Sequence, residues 1–481
     1  MKTISILLWQ AYDLKNIGVG FMTKTIIRIQ SIEIEGFKNI QKGIIELSAY
    51  RQKKYYSGKS DIIGIYGQNG SGKTTIVEAF KLFKTIASGE KLPDDIKNYI
   101  NELEDVATLK FAFYIEMKEQ KLLVYYQMSL RRKDGGAELY NEKLSYSQIN
   151  EDNKKRKIDI IEYLIDLKDT YILPKARYSE LIRNNKENEF NLEVSKRLSI
   201  KEKTSFIFND SLEEIFKSNS MCPDYFNIIN VIKHFARVNL FVITNEHSAT
   251  ISLNYMPLSF RMEDHEGVTS GDIAINLLGT SNIDKKRYNI ATKIIKQLNV
   301  VLGTIIPNLQ LEINNLGNEL YKNEKEVIRI QLLSIKKDIK IPLKYESEGI
   351  KKIISILSTL ISMYNNPSIC LIVDELDAGI FEYLLGELLK IIEQEGKGQF
   401  IFTSHNLRPL EMLEKESLVF STTNPQNRFI RITNIKSNNN LRNVYLRGVD
   451  LGGLNECVYE ETNSFEIAHA FRKAGDILYE E

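Results

Sequence analysis

The chain has 481 residues, of which 43% are hydrophobic and 26% are charged. The length suggests two or three domains, or one domain with a large insertion, and the composition is ordinary for a soluble globular protein. The net charge of +1 gives no overall attraction to nucleic acid or to a membrane. The three cysteines lie far apart in the sequence, which excludes a disulfide framework and favours a reducing, cytoplasmic location. No stretch reaches the roughly 20 apolar residues that span a bilayer, so we expect no membrane partner.

Residues 1–21 precede the first well-patterned strand. Their apolar run, residues 4–9, is too short for the core of a signal peptide, and Asp13 and Lys15 soon follow it. Because Met22 stands just ahead of the strand, we predict that the natural start is Met22 and that residues 1–21 are an N-terminal extension.

The first recognisable unit alternates between strand and helix patterns. Residues 25–47 predict two strands, and residues 61–66 predict a short apolar strand. A glycine-rich turn and a helix over residues 73–87 come next. Strand, glycine loop and helix in this order are the context that a phosphate-binding loop requires.

The glycine-rich turn reads G-Q-N-G-S-G-K-T over residues 67–74. It fits the pattern G-x-x-x-x-G-K-[ST], in which backbone N–H groups point at the phosphates. Lys73 is predicted to reach the β- and γ-phosphates, and Thr74 to place its hydroxyl on Mg²⁺. The residues predicted to contact the nucleotide here are Gly67, Gln68, Asn69, Gly70, Ser71, Gly72, Lys73, Thr74 and Thr75.

The middle of the chain is less informative. Residues 109–132 predict a hairpin, and residues 150–235 are polar and predict mostly helix. A strand is expected at 237–245, an amphipathic helix at 285–305, and several strands between 309 and 345.

The alternating pattern returns after residue 345. The sequence predicts a helix at 350–364, an apolar strand at 369–373, a helix at 383–395 and a second apolar strand at 399–403. One more strand is expected around residues 424–432, and a final helix at 468–478.

Acidic residues and a histidine follow the two apolar strands. Asp374 comes directly after residues 369–373, at the strand end where ligands bind in open α/β sheets. We expect Asp374 to hold Mg²⁺ through water, and Glu375 to orient or deprotonate the attacking water. His405 follows the next strand and could reach the same site to sense the γ-phosphate.

Together, these motifs resemble those of ABC-type P-loop ATPases. The resemblance makes Asp374 and Glu375 the Walker B acids, Asp377 the D-loop residue and His405 the switch histidine. Residues 346–352, E-S-E-G-I-K-K, lie where such ATPases have their signature motif. They lack the transporter form L-S-G-G-Q, but Ser347 and Gly349 match the shortened S-x-G of SMC-like, RecF-like and OLD-like ATPases.

The N-terminal strand adds to this resemblance. Residues 32–40, I-E-I-E-G-F-K-N-I, are similar to the first strand and loop of the same families. By that similarity, Lys38 and Asn39 lie near the nucleotide base. A Q-loop glutamine cannot be singled out, because Gln127 is at least as well explained as a solvated strand residue.

The resemblance implies a fold class and a cycle. The fold is α/β: an ABC-type P-loop head, with a mixed sheet and flanking helices, that carries a large α+β insertion. ATP and Mg²⁺ are the implied ligands. ATP lies between two heads and Ser347 comes from the partner, so a homodimer or larger homo-oligomer is implied. The expected segments are an ATPase half at 22–90, the insertion at 91–340, a second ATPase half at 341–450 and a helical tail at 451–481.

The motifs also resemble the ABC-related, AAA-type ATPases of bacterial abortive-infection and anti-phage systems. That similarity implies a sensor or scaffold controlling a separately encoded effector, a nuclease or toxin, since no clear acidic metal cluster follows His405. The main alternative is a DNA-maintenance ATPase of the SMC/RecF kind, for which residues 131–133 and 154–157 provide basic clusters. A transporter subunit fits poorly, given the incomplete signature and the long separation of Lys73 from Asp374. A non-hydrolysing scaffold fits poorly with the intact Glu375.

Overall fold

The computed structural model describes most of the chain. The described residues are 11–14, 25–51, 54–118, 120–150, 153–168, 170–218, 223–264, 267–321, 325–432, 440–451, 456–460 and 462–476.

The described strands and helices alternate irregularly along the chain. The strands are β1 Ala11–Leu14, β2 Ile26–Phe37, β3 Ile40–Glu46, β4 Asp61–Tyr66, β5 Val106–Met117, β6 Gln120–Lys133, β7 Gly136–Asn150, β8 Asn153–Lys154, β9 Ile158–Leu164, β10 Leu240–Ile243, β11 Tyr255–Asp264, β12 Gly267–Asn276, β13 Ser281–Ile283, β14 Leu309–Tyr321, β15 Lys325–Lys336, β16 Ile339–Pro342, β17 Cys370–Val373, β18 Gln399–Thr403, β19 Leu418–Ser421 and β20 Phe429–Ile430. The helices are α1 Ser48–Arg51, α2 Lys73–Ala87, α3 Lys175–Asn184, α4 Glu187–Glu202, α5 Asp210–Ser218, α6 Pro223–His234, α7 Asn245–Ser252, α8 Lys285–Ile305, α9 Glu348–Asn365, α10 Glu382–Glu395, α11 Pro409–Met412, α12 Leu441–Leu451 and α13 Ser464–Asp476. Short 3₁₀ or π turns lie at Ile96–Tyr99, Phe235–Asn239, Leu343–Tyr345 and Lys415–Ser417.

A six-stranded sheet, in the order β10-β17-β18-β4-β19-β20, forms the centre of the molecule. Its first five strands run parallel, and β20 pairs antiparallel to β19. Both faces of β4 are buried: Ile63 and Ile65 pack on the side of α2, and Ile62 and Tyr66 pack on the side of α9 and α10. Strands covered on both faces read as continuous apolar runs, as the sequence of β4, β17 and β18 does.

A second, antiparallel sheet covers α2 from the other side. Its seven strands follow the order β3-β2-β5-β6-β7-β8, with β9 also paired to β7. Phe83 of α2 packs against Phe111 and Phe113 of β5, with ring centroids 4.5 and 5.5 Å apart. The helix that follows the phosphate loop is therefore held between two sheets.

Two smaller sheets lie beside α9. One has the order β1-β12-β11, and the other pairs β13, β14 and β16 with β15. Ile354 and Leu357 of α9 share an apolar cluster with α8 and with strands of both small sheets. The packing of α9 thus joins these sheets to the parallel one.

Most predicted elements are confirmed. Strand β4 and helices α2 and α8 have the predicted bounds, and α9, α10, β17 and β18 differ from theirs by at most two residues at either end. The expectation of mostly helix from residue 150 is wrong at its start, because β9 pairs with β7 there. The hairpin of β11 and β12 was not predicted. Pro257 lies within the first of these strands, and proline weakens a strand pattern.

The predicted segment boundaries separate residues that share sheets. Within 91–340, strands β5 to β9 extend the sheet begun by β2 and β3, and β10 joins the parallel sheet. Within the predicted extension 1–21, Ala11–Leu14 pairs with residues 268–271 of β12. Met22, the predicted start, lies outside the described residues. Sheet pairing of this kind is non-local and leaves no mark in composition.

Candidate nucleotide site

The phosphate loop, residues 67–74, connects β4 to α2. Gly72 precedes α2 with a left-handed backbone, φ 92°, which glycine adopts without steric cost. Gly67 passes so close to β19 that a Cβ there would lie 1.9 Å from the hydroxyl oxygen of Ser421. These glycines allow the loop to turn tightly over the first N–H groups of α2, which attract anions.

Lys73 lies folded against the inner side of this loop. Its ammonium donates to the carbonyl oxygens of Gly67 at 2.8 Å and Gln68 at 2.9 Å. Burial lowers the pKa of Lys73, and the negative charges of Asp374 and Glu375 act in the opposite direction. The side chain therefore lies where the charges of both Walker B acids act on it.

Asp374 is the buried acid at the end of β17, with 2% of its surface exposed. Its Oδ1 accepts hydrogen bonds from Thr403 at 2.6 Å and from Thr74 at 3.5 Å. Its Oδ2 is buried without a hydrogen-bond partner among the described residues. A carboxylate with an unpaired oxygen beside a threonine hydroxyl fits Mg²⁺, which takes few protein ligands and completes its shell with water and phosphate.

Glu375 has a left-handed backbone, with φ 47°. Such a conformation costs a residue other than glycine about 1 kcal/mol, so neighbouring groups must hold it. Its N–H donates to Oγ1 of Thr403 at 2.7 Å. Its carbonyl accepts from Ala378 N at 3.1 Å and from the ammonium of Lys352. The backbone of Glu375 is thus fixed on both sides, and its half-buried side chain lies at the open edge of the sheet.

His405 and Asp377 meet at the same edge. The carboxylate of Asp377 accepts the backbone N–H of His405 at 3.2 Å. Partial burial and the charge of Lys73 lower the pKa of His405, while the nearby carboxylates raise it less. The imidazole is therefore neutral at pH 7, and its ring can act as a donor or an acceptor.

Ser347 and Gly349 begin α9 on the side of the Walker B loop. The exposed Ser347 caps the helix, with its hydroxyl accepting from Ile350 N at 3.3 Å. Gly349 packs directly on the loop that follows Asp377, since a Cβ on Gly349 would lie 1.8 Å from the carbonyl oxygen of Gly379. The structure thus places both signature-like residues beside the D-loop of the same protomer.

Lys38 and Asn39 lie against the phosphate loop and α2. The amide of Asn39 donates to the carbonyl of Gly70 at 2.6 Å and accepts from the hydroxyl of Thr75 at 2.9 Å. Lys38 forms an ion pair with Glu78 of α2 at 2.5 Å. Both predicted residues are therefore close to the loop.

The remaining loop residues contact the C-terminal part of the chain or solvent. Gln68 exchanges two hydrogen bonds with the backbone of Glu460, at 2.9 and 3.4 Å. Ser71 shares a hydrogen bond with Ser421 at 2.5 Å, and Asn69 is exposed.

Sequence reasoning missed several residues at this edge. Thr403 ends β18 and forms hydrogen bonds with both Walker B acids. Thr244 and Asn245 directly follow β10, and the carbonyl of the last residue of β10 accepts from Asp374 N. Their positions at strand ends could have revealed them. No signal marked Lys352, which reaches the site from a helix. Gln127 lies in the middle of β6 in the antiparallel sheet, away from this edge.

Most of the chain matches the sequence profile of a known family. The sequence profile of the AAA ATPase domain matches residues 28–408. The chain belongs to the AAA ATPase domain family. The matched range begins in β2 and includes every residue of the site from Lys38 to His405.

Known structures were also compared with this AAA ATPase domain protein. An Smc head bound to the C-terminal winged-helix domain of ScpA has a TM-score of 0.40 at 10% identity, covering 84% of this chain and 98% of that one. The SMC head domain from Thermotoga maritima gives 0.35 at 14%, covering 84% and 99%. The recombination mediator protein RecF–ATPrS gives 0.35 at 13%, covering 85% and 99%.

No curated protein sequence matched the chain. Among the described residues, no helix combines the length and apolarity needed to cross a membrane.

Proposed function

We propose that this AAA ATPase domain protein binds ATP with Mg²⁺ at the carboxyl edge of the parallel sheet and hydrolyses it to ADP and phosphate. The observation that supports this most is that the three motifs lie together at one edge of the parallel sheet. Three neighbouring parallel strands, β4, β17 and β18, end in the phosphate loop, the Walker B acids and His405.

Each side chain has a distinct role in this proposal. Lys73 binds the β- and γ-phosphates, and Thr74 and Asp374 hold the Mg²⁺, which would neutralise phosphate charge. Glu375 orients the attacking water and accepts its proton. His405 contacts the γ-phosphate through its neutral ring.

We further propose that the complete site forms between two copies of the chain. Ser347 lies at the exposed N-terminus of α9, where a helix end and a hydroxyl suit an anion. It lies beside its own D-loop, because Gly349, two residues further on, packs against Gly379. A γ-phosphate held by one protomer would then bind Ser347 of the other, and hydrolysis would remove this contact.

Light-scattering mass with and without Mg·ATP tests both parts, using wild type, Glu375→Gln and Lys73→Ala. We expect Glu375→Gln to hydrolyse ATP at least about 100-fold more slowly than wild type. ATP should trap this variant as a dimer or larger assembly. Lys73→Ala should neither bind ATP nor assemble. Equal masses and no hydrolysis in all three proteins would refute the proposed cycle.

For its cellular role, we propose a sensor or scaffold that controls a separately encoded effector in anti-phage defence. The resemblance of its motifs to abortive-infection ATPases supports this role. Co-expression with the product of an adjacent gene tests it: effector toxicity should depend on Lys73 and Glu375. Hydrolysis stimulated by DNA in a salt-dependent manner, without any such dependence, would instead favour DNA maintenance.

A further inference from the structure

Helix α9 is attached to the Walker B loop at its first turn. Gly349 lies against the Gly379 carbonyl so closely that no side chain fits between them. Gly379 itself has φ 76°, a conformation that glycine favours. Because this contact is backbone against backbone, it yields little when either partner moves.

Lys352 makes a second attachment one turn further along α9. Its side chain is 6% exposed, and its ammonium donates to the carbonyl oxygen of Glu375. Burial lowers the pKa of Lys352, and Asp377, Glu375 and Asp374 all act to keep the ammonium charged. A buried ammonium is costly unless it is paired or hydrogen-bonded, and here the Glu375 carbonyl accepts its hydrogen bond.

We call the hydrogen bond from Lys352 to the Glu375 carbonyl the tether. It acts on the Walker B acid whose backbone is strained. Glu375 has φ 47°, and the plane of its carbonyl is coupled to this backbone turn. A donor on that carbonyl therefore constrains the direction in which the Glu375 side chain leaves the chain. Thr403 fixes the N–H on the other side of the same residue, and Ala378 N also donates to the carbonyl. The backbone of Glu375 is thus held by three contacts, of which the one from Lys352 comes from α9.

We propose that Lys352 is a positioning residue: it joins the signature-like helix α9 to Glu375, so that contact at Ser347 sets the water-orienting carboxylate of the same protomer. This inference rests on the proposed two-copy site and deepens it. In a dimer, ATP held by one protomer contacts Ser347 of the other and thereby aligns Glu375 of that other protomer. Each site would report its occupancy to the opposite one.

Lys351 provides a matched control. It is the neighbouring residue on α9, it is 7% exposed, and its ammonium donates to a backbone carbonyl, that of Lys344, at 3.2 Å. Replacing either lysine by methionine removes one buried charge and one hydrogen bond from the same helix. Only Lys352 reaches the Walker B loop.

Steady-state hydrolysis and nucleotide affinity of Lys352→Met and Lys351→Met are measured together with hydrogen exchange of residues 374–380. We expect Lys352→Met to lower kcat at least tenfold, to change ATP affinity less than threefold, and to raise exchange in 374–380. Lys351→Met should resemble wild type in all three. Lys352→Gln, which retains a donor, serves if the methionine variant does not fold, and should show a smaller effect in the same direction.

The outcomes separate this inference from the proposed function. Exchange that is unchanged in Lys352→Met, or raised equally in Lys351→Met, overturns the tether. Raised exchange with wild-type kcat overturns its positioning role. If wild type itself hydrolyses nothing, the proposed ATPase cycle fails, and the exchange comparison alone still supports or overturns the attachment of α9 to Glu375.

Discussion

Thr403 holds both Walker B acids with a single hydroxyl. It donates to Asp374 at 2.6 Å and accepts from Glu375 N at 2.7 Å, and it is fully buried. Thr403→Val keeps the volume but removes both bonds, leaving a buried N–H unpaired at a cost of about 1–3 kcal/mol. We expect kcat to fall at least tenfold and ATP affinity to change little, as measured by steady-state hydrolysis and nucleotide titration.

Thr359→Val is the control for this effect. Thr359 is also fully buried, and its hydroxyl donates to the carbonyl of Ile356 within α9, at 2.7 Å. Its replacement should cost a similar or smaller amount of stability and leave kcat unchanged. A Thr403→Val protein that hydrolyses ATP at the wild-type rate would show that the hydroxyl does not position the acids.

At the scale of elements, the contact between Gly349 and Gly379 fixes the start of α9. In Gly349→Ala the new methyl would lie 1.8 Å from a backbone oxygen, so helix and loop must separate. Overpacking of this kind costs about 1–3 kcal/mol, and we expect a lower melting temperature and slower hydrolysis.

Gly475 in α13 gives the opposite case, because a methyl there meets no atom within 4 Å. Gly475→Ala should leave hydrolysis unchanged and stabilise the helix by up to about 1 kcal/mol. Thermal unfolding and hydrolysis assays of both variants test the pair. Equal behaviour of the two would contradict the close packing of α9.

How far the sequence predicts these elements depends on how local their signals are. The phosphate loop and Asp374 could be predicted because strand, turn and ligand residues are contiguous. Helix α8 could also be predicted, since Asp284 caps it with a bond to Arg287 N and apolar residues recur along it. Lys352 could not, because its partner Glu375 is brought to it by packing of α9 on the sheet. The pairing of β10 with β17 in the parallel sheet could not be predicted either, because the two strands lie far apart in the sequence.

At the scale of the whole molecule, His234 makes stability depend on pH. It ends α6, and burial, aided by Arg261 and Arg237, lowers its pKa from 6.5 to about 4. The unfolded chain therefore binds this proton more tightly than the folded one. The stability from the neutral ring is complete above pH 6.5 and is lost as pH falls towards 4, by up to about 3 kcal/mol.

His234→Gln should reduce this loss between pH 6.5 and 4, as measured by urea unfolding at several pH values. The exposed His469 on α13 is the control, and His469→Gln should retain the wild-type slope. An unchanged slope in His234→Gln would assign the acid sensitivity to other groups.

Arg28 joins the two large sheets at the edge opposite the nucleotide site. From β2 in the antiparallel sheet, its guanidinium donates to the carbonyls of Pro367 at 3.0 Å, Lys397 at 2.7 Å and Lys59 at 3.3 Å. These residues lie shortly before β17, β18 and β4. Asp61 lies 3.8 Å away. This buried cation thus links the starts of three strands, and the opposite ends of these strands carry the site.

Replacing Arg28 by methionine keeps most of the apolar stem and removes these donors. Three backbone carbonyls then lose a donor and the buried Asp61 loses a counter-charge, so we expect a loss of about 3–5 kcal/mol in the free energy of unfolding. Arg51→Met removes an exposed arginine that lies 3.9 Å from Glu46, and should cost less than about 1 kcal/mol. Urea unfolding compares the two variants, and equal losses would contradict a special role for Arg28.

Because the parallel strands are rigid, loosening their starts should also displace the strand ends relative to one another. The Arg28→Met protein should therefore hydrolyse ATP more slowly even under conditions in which it is fully folded.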